Sequence, residues 1–384
     1  MMLCAAGFTA ILSTTMSKSP VLPLFASFLG SNPSGIGMVA AVSPFAGIVL
    51  SVPAGVLSDR FGRRLMLLFS AFILATAPFM YPFCTKLWQL ALIRFYHGFS
   101  TAVFVPVAMA LVSDLFQKER GERLGWFSTS TLIGRFIAPV TGGSILGMLA
   151  EKPLLGYRAV YFFCGFIGLA ALFLIVKIPV SKPGQSQPWK ETLREFRKIL
   201  STRAIVLTCM VEASILFAYG SFETFLPIYS KHVGLSFYET GALLSIQIIT
   251  LALTKPLMGK FSDRHGRTSQ IFGGPFVGAV SIAAIPLFKS VLPLLVISVV
   301  FGLSISIVTS ATGAYIADLS KEGSRGSAMG LLGSIMDIGH STGPLVSGAA
   351  ATYLGLSWSF TLPFFVLAAM AVTFQLGTAG RGKG

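Results

Sequence analysis

The dominant pattern along the chain is a succession of apolar stretches of 18 or more residues, separated by short polar loops. Each stretch is long enough to cross the roughly 30 Å hydrocarbon core of a bilayer as an α-helix. The apolar residues are continuous and do not alternate with period two, so the pattern favours helices over a membrane β-barrel. We predict twelve transmembrane helices, centred near Ser13, Ala46, Leu74, Ser100, Ile137, Gly168, Leu216, Ile248, Gly278, Ser304, Gly339 and Leu367.

Composition agrees with a chain embedded in a bilayer. Of the 384 residues, 54% are hydrophobic and only 11% are charged, whereas soluble domains carry about 25% charged residues. The net charge of +15 comes from Lys and Arg in short loops, a distribution that does not favour nucleic-acid binding. Cys4, Cys84, Cys164 and Cys209 lie in or beside apolar stretches without metal-ligand spacing, so we expect packing roles and no metal or cofactor.

The distribution of positive charge predicts the orientation in the membrane. The loops on one side, with the central linker and the C-terminal tail, hold 20 Lys and Arg residues, and the loops on the other side hold 5. Because loops rich in Lys and Arg stay in the cytoplasm, we expect a multi-pass protein of the cell membrane with both termini cytoplasmic. We expect it to act as a monomer, because one chain carries both halves.

A short charged loop after the second predicted helix recurs in the second half of the chain. Residues 55–64, Gly-Val-Leu-Ser-Asp-Arg-Phe-Gly-Arg-Arg, match residues 259–267, Gly-Lys-Phe-Ser-Asp-Arg-His-Gly-Arg, at a displacement of 204 residues. Gly98 with Gly302 and Asp114 with Asp318 repeat at the same displacement. The chain is therefore predicted to be a tandem duplication of a six-helix unit.

This duplication sets the predicted domain boundaries. Residues 1–176 are expected to form an N-terminal bundle and residues 204–384 a C-terminal bundle. The polar stretch 177–203, which contains three prolines, is expected to be a cytoplasmic linker with a short amphipathic helix over residues 191–200.

Three motifs resemble signatures of the major facilitator superfamily of secondary transporters. The first charged loop matches the family's Gly-x-Leu-x-Asp-Arg-x-Gly-Arg-Arg signature. Arg94 and Gly98 in the fourth helix resemble its Arg-x-x-Gln-Gly element, with His97 in place of glutamine. The fifth helix resembles the Gly-x-x-x-Gly-Pro-x-x-Gly-Gly element of its drug:proton antiporters, with alanine in place of the second glycine, at Gly134, Ala138, Pro139, Gly142 and Gly143.

The resemblance covers the whole chain. It implies an all-α membrane protein with twelve transmembrane helices in two pseudo-symmetric six-helix bundles around a central cavity. Members of the family carry small-molecule substrates across a lipid bilayer by alternating access, in which the two bundles rock around a central site.

The charged loops supply candidate residues for a conformational gate. A carboxylate at a helix end pairs with arginines or with a helix N-terminus in one conformation and loses that contact in the other. Asp59 is expected to act in this way, whereas membrane topology alone would also explain the arginines around it. We expect the same arrangement from Asp114 with Arg120 and from Asp318 with Arg325. The full candidate set is Gly55, Asp59, Arg60, Gly62, Arg63, Arg64, Asp114, Arg120, Gly259, Asp263, Arg264, Gly266, Arg267, Asp318 and Arg325.

Charged residues inside the predicted helices are functional candidates, because each costs about 2.5–3.5 kcal/mol at the bilayer centre. Helical spacing places the polar residues of each helix on one face, which is expected to line the cavity. The C-terminal half supplies three such groups: Glu212, Tyr219 and Glu223; Gln247, Thr250 and Thr254; Asp337 and His340. The N-terminal half supplies the cations Lys18, Arg94 and Arg135.

Proton coupling requires a group that gains and loses a proton as access alternates, and burial favours the neutral form of a carboxyl group. The candidates are Glu223, Asp337, Glu212, His340 and Arg94, with Glu223 first and Asp337 second. His340 is expected to share a proton with Asp337. The repeat aligns Lys18 with Phe222, so we also predict a Lys18–Glu223 contact. A purely structural ion pair is the alternative for these groups, and for Glu212 with Lys255 in particular.

The acids and the antiporter-like fifth helix predict a proton-coupled efflux antiporter of small lipophilic or amphipathic compounds. The substrate-cavity candidates are Lys18, Arg135, Tyr219, Gln247, Thr250 and Thr254. The alternative is a symporter or exchanger for a small anionic metabolite, such as an organic acid, bound by Lys18, Arg94 and Arg135. The sequence carries no metal-ligand cluster, nucleophile elbow or phosphate-cradling loop, so an enzyme is not expected.

Overall fold

The computed structural model describes residues 1–116, 118–178, 202–320 and 325–378, without the side chains of residues 50–56, 59–60 and 325–330. Regular structure in these ranges is entirely helical. The predicted linker and its amphipathic helix lie outside the described residues apart from the two ends of the linker. The helices are α1 (Met2–Lys18), α2 (Val21–Phe28), α3 (Pro33–Phe61), α4 (Arg63–Met80), α5 (Leu87–Leu115), α6 (Arg120–Met148), α7 (Pro153–Val176), α8 (Arg203–His232), α9 (Phe237–His265), α10 (Arg267–Ala284), α11 (Val291–Leu319), α12 (Arg325–Leu354) and α13 (Trp358–Thr378).

The twelve predicted spans are confirmed. Each predicted centre falls inside a helix: α1 continues through α2 to make the first span, and α3 to α13 make the remaining eleven. Nine helices in the described part of the chain are individually long and apolar enough to cross a bilayer. The break between α1 and α2 falls at Ser19–Pro20. Proline cannot donate a backbone hydrogen bond to the preceding turn, which explains the interruption there.

The internal repeat extends to the helix boundaries. Helices α3, α4 and α5 begin and end 204 residues before α9, α10 and α11, respectively, and the 3-10 turn Tyr81–Phe83 precedes Ile285–Leu287 by the same displacement. The glycines that end α3 and α9 also match, since Gly62 has φ 90° and Gly266 has φ 89°. This left-handed backbone conformation favours glycine over any residue with a side chain. The repeated glycines therefore terminate the second span of each half in the same way.

The chain forms two compact units, Met1–Ser186 with Leu235–Ser245, and Gln187–Gly234 with Ile246–Gly384. In the first unit, the small residues of the antiporter-like helix α6 face α1. A Cβ atom added to Gly134 would lie 2.7 Å from the Phe8 carbonyl oxygen, and Ala138 is fully buried. The N-terminal part of α9 also packs on α6, where the Ser245 hydroxyl donates to the Phe136 carbonyl at 2.8 Å. Small residues permit this close approach of helices in a membrane.

In the second unit, α8 packs most extensively against α12. The contact depends on the small residues of both helices, because a Cβ atom on Gly220 would lie 2.7 Å from the His340 carbonyl oxygen. Gly339 and Gly343 of α12 lie directly against the backbone of α8 at Ala213 and Phe217. The Ser221 and Ser347 hydroxyls form a buried hydrogen bond of 2.8 Å between the two helices. This packing brings the polar faces of α8 and α12 together.

Candidate functional site

The centre of the candidate site is a carboxylate–imidazole pair in the second unit. Glu223 Oε2 of α8 lies 3.1 Å from His340 Nε2 of α12. The Glu223 residue is only 6% exposed. The Tyr219 ring, one helical turn before Glu223, lies beside the His340 ring with a centroid separation of 5.2 Å. The sequence grouped His340 only with Asp337 on its own helix; the structure adds Glu223 of the neighbouring helix as its partner.

A second buried carboxylate lies on α8, nearer its N-terminus. Glu212 is 1% exposed and accepts a hydrogen bond of 2.5 Å from the Thr312 hydroxyl of α11. Lys255 of α9 acts on this carboxylate electrostatically. A hydrogen bond to a buried carboxylate favours its charged form. Glu212 therefore interacts with the Thr312 hydroxyl as well as with Lys255, the lysine that the sequence suggested.

The polar residues on one face of α9, Gln247, Thr250 and Thr254, lie in two different environments. The Thr250 and Thr254 hydroxyls each donate to a carbonyl of their own helix at 2.7 Å. Gln247 is 1% exposed, and its Nε2 atom has no hydrogen-bond partner among the described residues. The hydroxyls are half-buried and accessible, whereas Gln247 lies deep in the unit.

The two arginines in the helices of the first unit differ in environment. Arg94 of α5 is 3% exposed and contacts the Tyr81 hydroxyl. Arg135 of α6 is exposed and forms no ion pair or hydrogen bond within the described ranges. Lys18 lies in the last turn of α1. The predicted Lys18–Glu223 contact stays a prediction.

The charged loops form the same contacts in both repeats. Arg63 of α4 binds Asp114 of α5 at 3.3 Å and donates to Ser58 of α3. At the equivalent place, Arg267 of α10 binds Asp318 of α11 and donates to Ser262 of α9. In each repeat one arginine therefore connects the second, third and fourth spans.

These contacts change the expected gate pairs. Asp114 is bound by Arg63, and Asp318 by Arg267, whereas the sequence had assigned Arg120 and Arg325 to them. Sequence proximity favoured the adjacent loop. However, α4 runs antiparallel to α5, and α10 to α11, so the first residue of one helix lies beside the end of the next. Asp263 also pairs with Arg267 at 2.8 Å, as expected for an acid beside the arginines of its loop. The side chains of Asp59, Arg60 and Arg325 lie outside the description.

Several partners in the site were not identified from the sequence. Thr312, Ser58 and Ser262 are small hydroxyl residues in helices, and residues of this kind occur throughout the chain. The available signal was the repeat, because Ser58 and Ser262 occupy equivalent positions 204 residues apart within the charged loops. No comparable signal marks Thr312.

An internally duplicated set of membrane-crossing helices, with charged loops repeated at equivalent positions, defines a polytopic membrane transport protein. The family model for the Major Facilitator Superfamily matches residues 3–249 and 230–380. The chain belongs to this superfamily. Its members bind small-molecule substrates and act in a membrane, and they are transporters, not enzymes.

Relatives and solved structures agree with this family. The chain is 27% identical over 348 residues to the uncharacterized MFS-type transporter MJ1560 of Methanocaldococcus jannaschii, covering 88% of each chain. It is 25% identical over 369 residues to the multidrug resistance protein MdtG of Rahnella sp. (strain Y9602), covering 93% of this chain and 87% of that one. The crystal structure of the nucleoside transporter NupG has a TM-score of 0.80 at 14% identity and covers 98% of each chain. At that identity the structural similarity establishes the fold alone.

Proposed function

We propose that the protein is a proton-coupled antiporter that exports small lipophilic or amphipathic compounds from the cell. The observation that carries this proposal is the Glu223–His340 pair, with Tyr219 beside it. A buried carboxylate next to an imidazole provides two groups that exchange a proton between themselves and water. The similarity to proteins named for multidrug resistance supports the substrate class.

In the proposed cycle, Glu223 and His340 release a proton when substrate enters and take one up when substrate leaves. In this scheme the compound and the proton exclude each other from the Glu223–His340 pair, so binding of the compound requires release of the proton. The proton then moves down its gradient in the opposite direction to the exported compound. Asp337 and Glu212 are secondary candidates for coupling, since Glu212 is already held by Thr312.

The charged loops are proposed to act as the conformational gate on the cytoplasmic side of the cell membrane. Arg63 with Asp114, and Arg267 with Asp318, are the contacts proposed to break and re-form as access alternates. Exposed pairs of this kind contribute only about 0–1 kcal/mol to stability. A small contribution suits an interaction that must re-form in each transport cycle.

Inside-out vesicles provide the test. They are energised to an acidic interior, and the internal pH is followed with a dye while lipophilic compounds are added one at a time. The proposal predicts proton release from vesicles with the wild-type protein and none with Glu223→Gln. A compound that is transported equally by wild type and Glu223→Gln, with no proton movement, would contradict it.

The alternative, transport of a small anionic metabolite, is favoured by one observation. Arg135 is a cation on a predicted membrane-spanning helix that is exposed and has no ion-pair partner in the described ranges. If Arg135 binds the substrate, Arg135→Gln abolishes binding of an organic acid and Arg135→Lys retains part of it. If export of lipophilic compounds is correct, both variants still bind those compounds.

A further inference from the structure

A cluster of buried polar side chains lies in the first unit, where α5, α7 and the 3-10 turn after α4 meet. It consists of Tyr81, Arg94, His97 and Tyr161, each 3% exposed or less. The Tyr81 hydroxyl lies 3.3 Å from His97 Nδ1 and also contacts Arg94. The Tyr81 and Tyr161 rings stack with centroids 4.5 Å apart and planes inclined by 17°. Four buried polar side chains therefore lie next to one another.

The hydrogen-bonding capacity of this cluster is not satisfied by the protein. Arg94 Nε, His97 Nε2 and Tyr161 Oη have no hydrogen-bond partner among the described residues. The other titratable side chains beside the cluster are the thiols of Cys84 and Cys164. No carboxylate in the described ranges contacts Arg94.

An arginine in this environment requires a counter-charge. Its guanidinium group does not lose its proton in proteins. A buried charge is costly unless it is paired and hydrogen-bonded. The Tyr81 hydroxyl oxygen accepts a hydrogen bond from Arg94, but a neutral hydroxyl group does not balance the charge of the guanidinium group.

The second repeat shows that the fold does not need this cluster. The positions 204 residues after Tyr81, Arg94 and His97 are Ile285, Ser298 and Phe301. These three residues are also buried, at 0%, 1% and 0% exposure. In the second repeat, the equivalent helix and the equivalent turn therefore pack with an uncharged, mostly apolar set of side chains at these positions. The polar residues of the first repeat serve a purpose other than packing.

We propose that Arg94, Tyr161 and His97 form a binding site for a small inorganic anion such as chloride, which is the counter-ion of Arg94. The Arg94 Nε–H and the Tyr161 hydroxyl are donors, and His97 Nε2 adds a third when that nitrogen carries the proton. This donor set binds an anion and repels a metal cation. The near-complete burial of all four residues favours a small ion over the carboxylate of a larger solute.

Thermal unfolding of the purified protein in detergent tests the site. Sodium chloride replaces sodium gluconate at constant ionic strength, because gluconate is too large for an enclosed site. For the wild-type protein we expect a saturable rise of Tm, about 3 °C when chloride reaches 100 times its Kd. A variant with Tyr81→Ile, Arg94→Ser and His97→Phe copies the second repeat, so it is expected to fold and to lose this rise.

The other outcomes of this experiment contradict the proposal. An equal response to chloride in the wild type and in the triple variant would place the anion elsewhere. A response to acetate but not to chloride would mean that the site binds a solute carboxylate and not an inorganic ion.

Diffraction from wild-type crystals soaked in sodium bromide provides a measurement that does not depend on the folding of a variant. The proposal predicts an anomalous peak beside Arg94 Nε and Tyr161 Oη. Anomalous peaks confined to exposed loop arginines would overturn it.

Discussion

At the scale of single residues, the proposed proton coupling depends on the contacts of Glu223. Its carboxylate lies in a buried position and has an imidazole as a direct partner at 3.1 Å. Such a pair has one of two roles. It is a structural link between α8 and α12, or it is a unit that exchanges a proton, and these two roles respond differently to substitution.

His340→Gln and His340→Phe separate the two roles. A glutamine amide can still donate a hydrogen bond to Glu223 but cannot take up a proton, whereas phenylalanine can do neither. We expect both variants to lose proton-coupled transport, and only His340→Phe to lose stability. If His340→Gln transports as well as the wild type in the vesicle assay, the pair is structural.

Thr312 is expected to stabilise the protein through Glu212. Thr312→Val keeps the shape of the side chain but removes the hydroxyl that donates to the buried carboxylate at 2.5 Å. Hydrogen bonds to charged groups contribute about 1.5–3 kcal/mol, so we expect a loss of stability of that size, measured as a lower Tm. Thr373→Val is the matched control, because its exposed hydroxyl bonds only to the Ala369 carbonyl of its own helix. A control that loses as much as Thr312→Val would contradict this role.

The sequence predicted the residues of the site better than their partners. Helical spacing placed Glu212, Tyr219 and Glu223 on one face of α8, because residues four or seven apart lie on the same side of a helix. It could not predict that Glu223 meets His340 or that Glu212 meets Thr312. Those contacts depend on how neighbouring helices are rotated and shifted against each other, which spacing within one helix does not determine.

At the scale of helices, close packing of α8 on α12 positions the pair. Gly220 lies one turn from Glu223 and directly faces the backbone of His340. A methyl group at Gly220 would approach the His340 carbonyl oxygen to 2.7 Å and the His340 ring to 3.1 Å. The distance between Glu223 and His340 therefore depends on a residue that has no side chain.

Gly220→Ala is expected to impair transport by moving α12 away from α8. Overpacking of this kind costs about 1–3 kcal/mol. The control is Gly333→Ala on α12, where an added Cβ atom meets nothing within 4 Å. Alanine favours a helix by about 1 kcal/mol over glycine, so Gly333→Ala should keep or raise Tm and leave transport unchanged. Equal transport by the two variants would contradict the proposed importance of this contact.

The positions of the spans were the most predictable feature of the elements, since each predicted centre falls inside a helix. The repeat of 204 residues holds for both ends of three pairs of helices. The division of the first span into α1 and α2 was not predicted, although its cause is visible in the sequence. Pro20 lies at the break, and the equivalent residue of the second repeat is Thr224, inside the continuous helix α8.

At the scale of the whole molecule, two similar units carry different charges. The first contributes cations to its helices and the second contributes the carboxylates Glu212, Glu223 and Asp337. Duplication therefore supplied the fold twice, while the chemistry of the two copies diverged. Sequence comparison of the two halves predicts this asymmetry directly, because it requires only the repeat and the position of each charge.

The predicted orientation can be tested by labelling in intact cells. In a cysteine-free background, Lys289→Cys and Lys260→Cys place single thiols in exposed positions at opposite ends of the predicted spans. The excess of Lys and Arg on one side predicts that a membrane-impermeant maleimide labels Lys289→Cys and not Lys260→Cys. The reverse pattern would show that the termini are outside the cell.

The most direct measurement of the central claim is proton release on substrate binding to the purified protein. Weakly buffered wild-type protein in detergent is mixed with a transported lipophilic compound, and the pH change is recorded together with the amount bound. If Glu223 is the coupling group, the wild type releases about one proton per molecule bound and Glu223→Gln releases none, since a glutamine side chain carries no titratable proton. Equal proton release by both proteins would show that the coupling group is elsewhere in the chain.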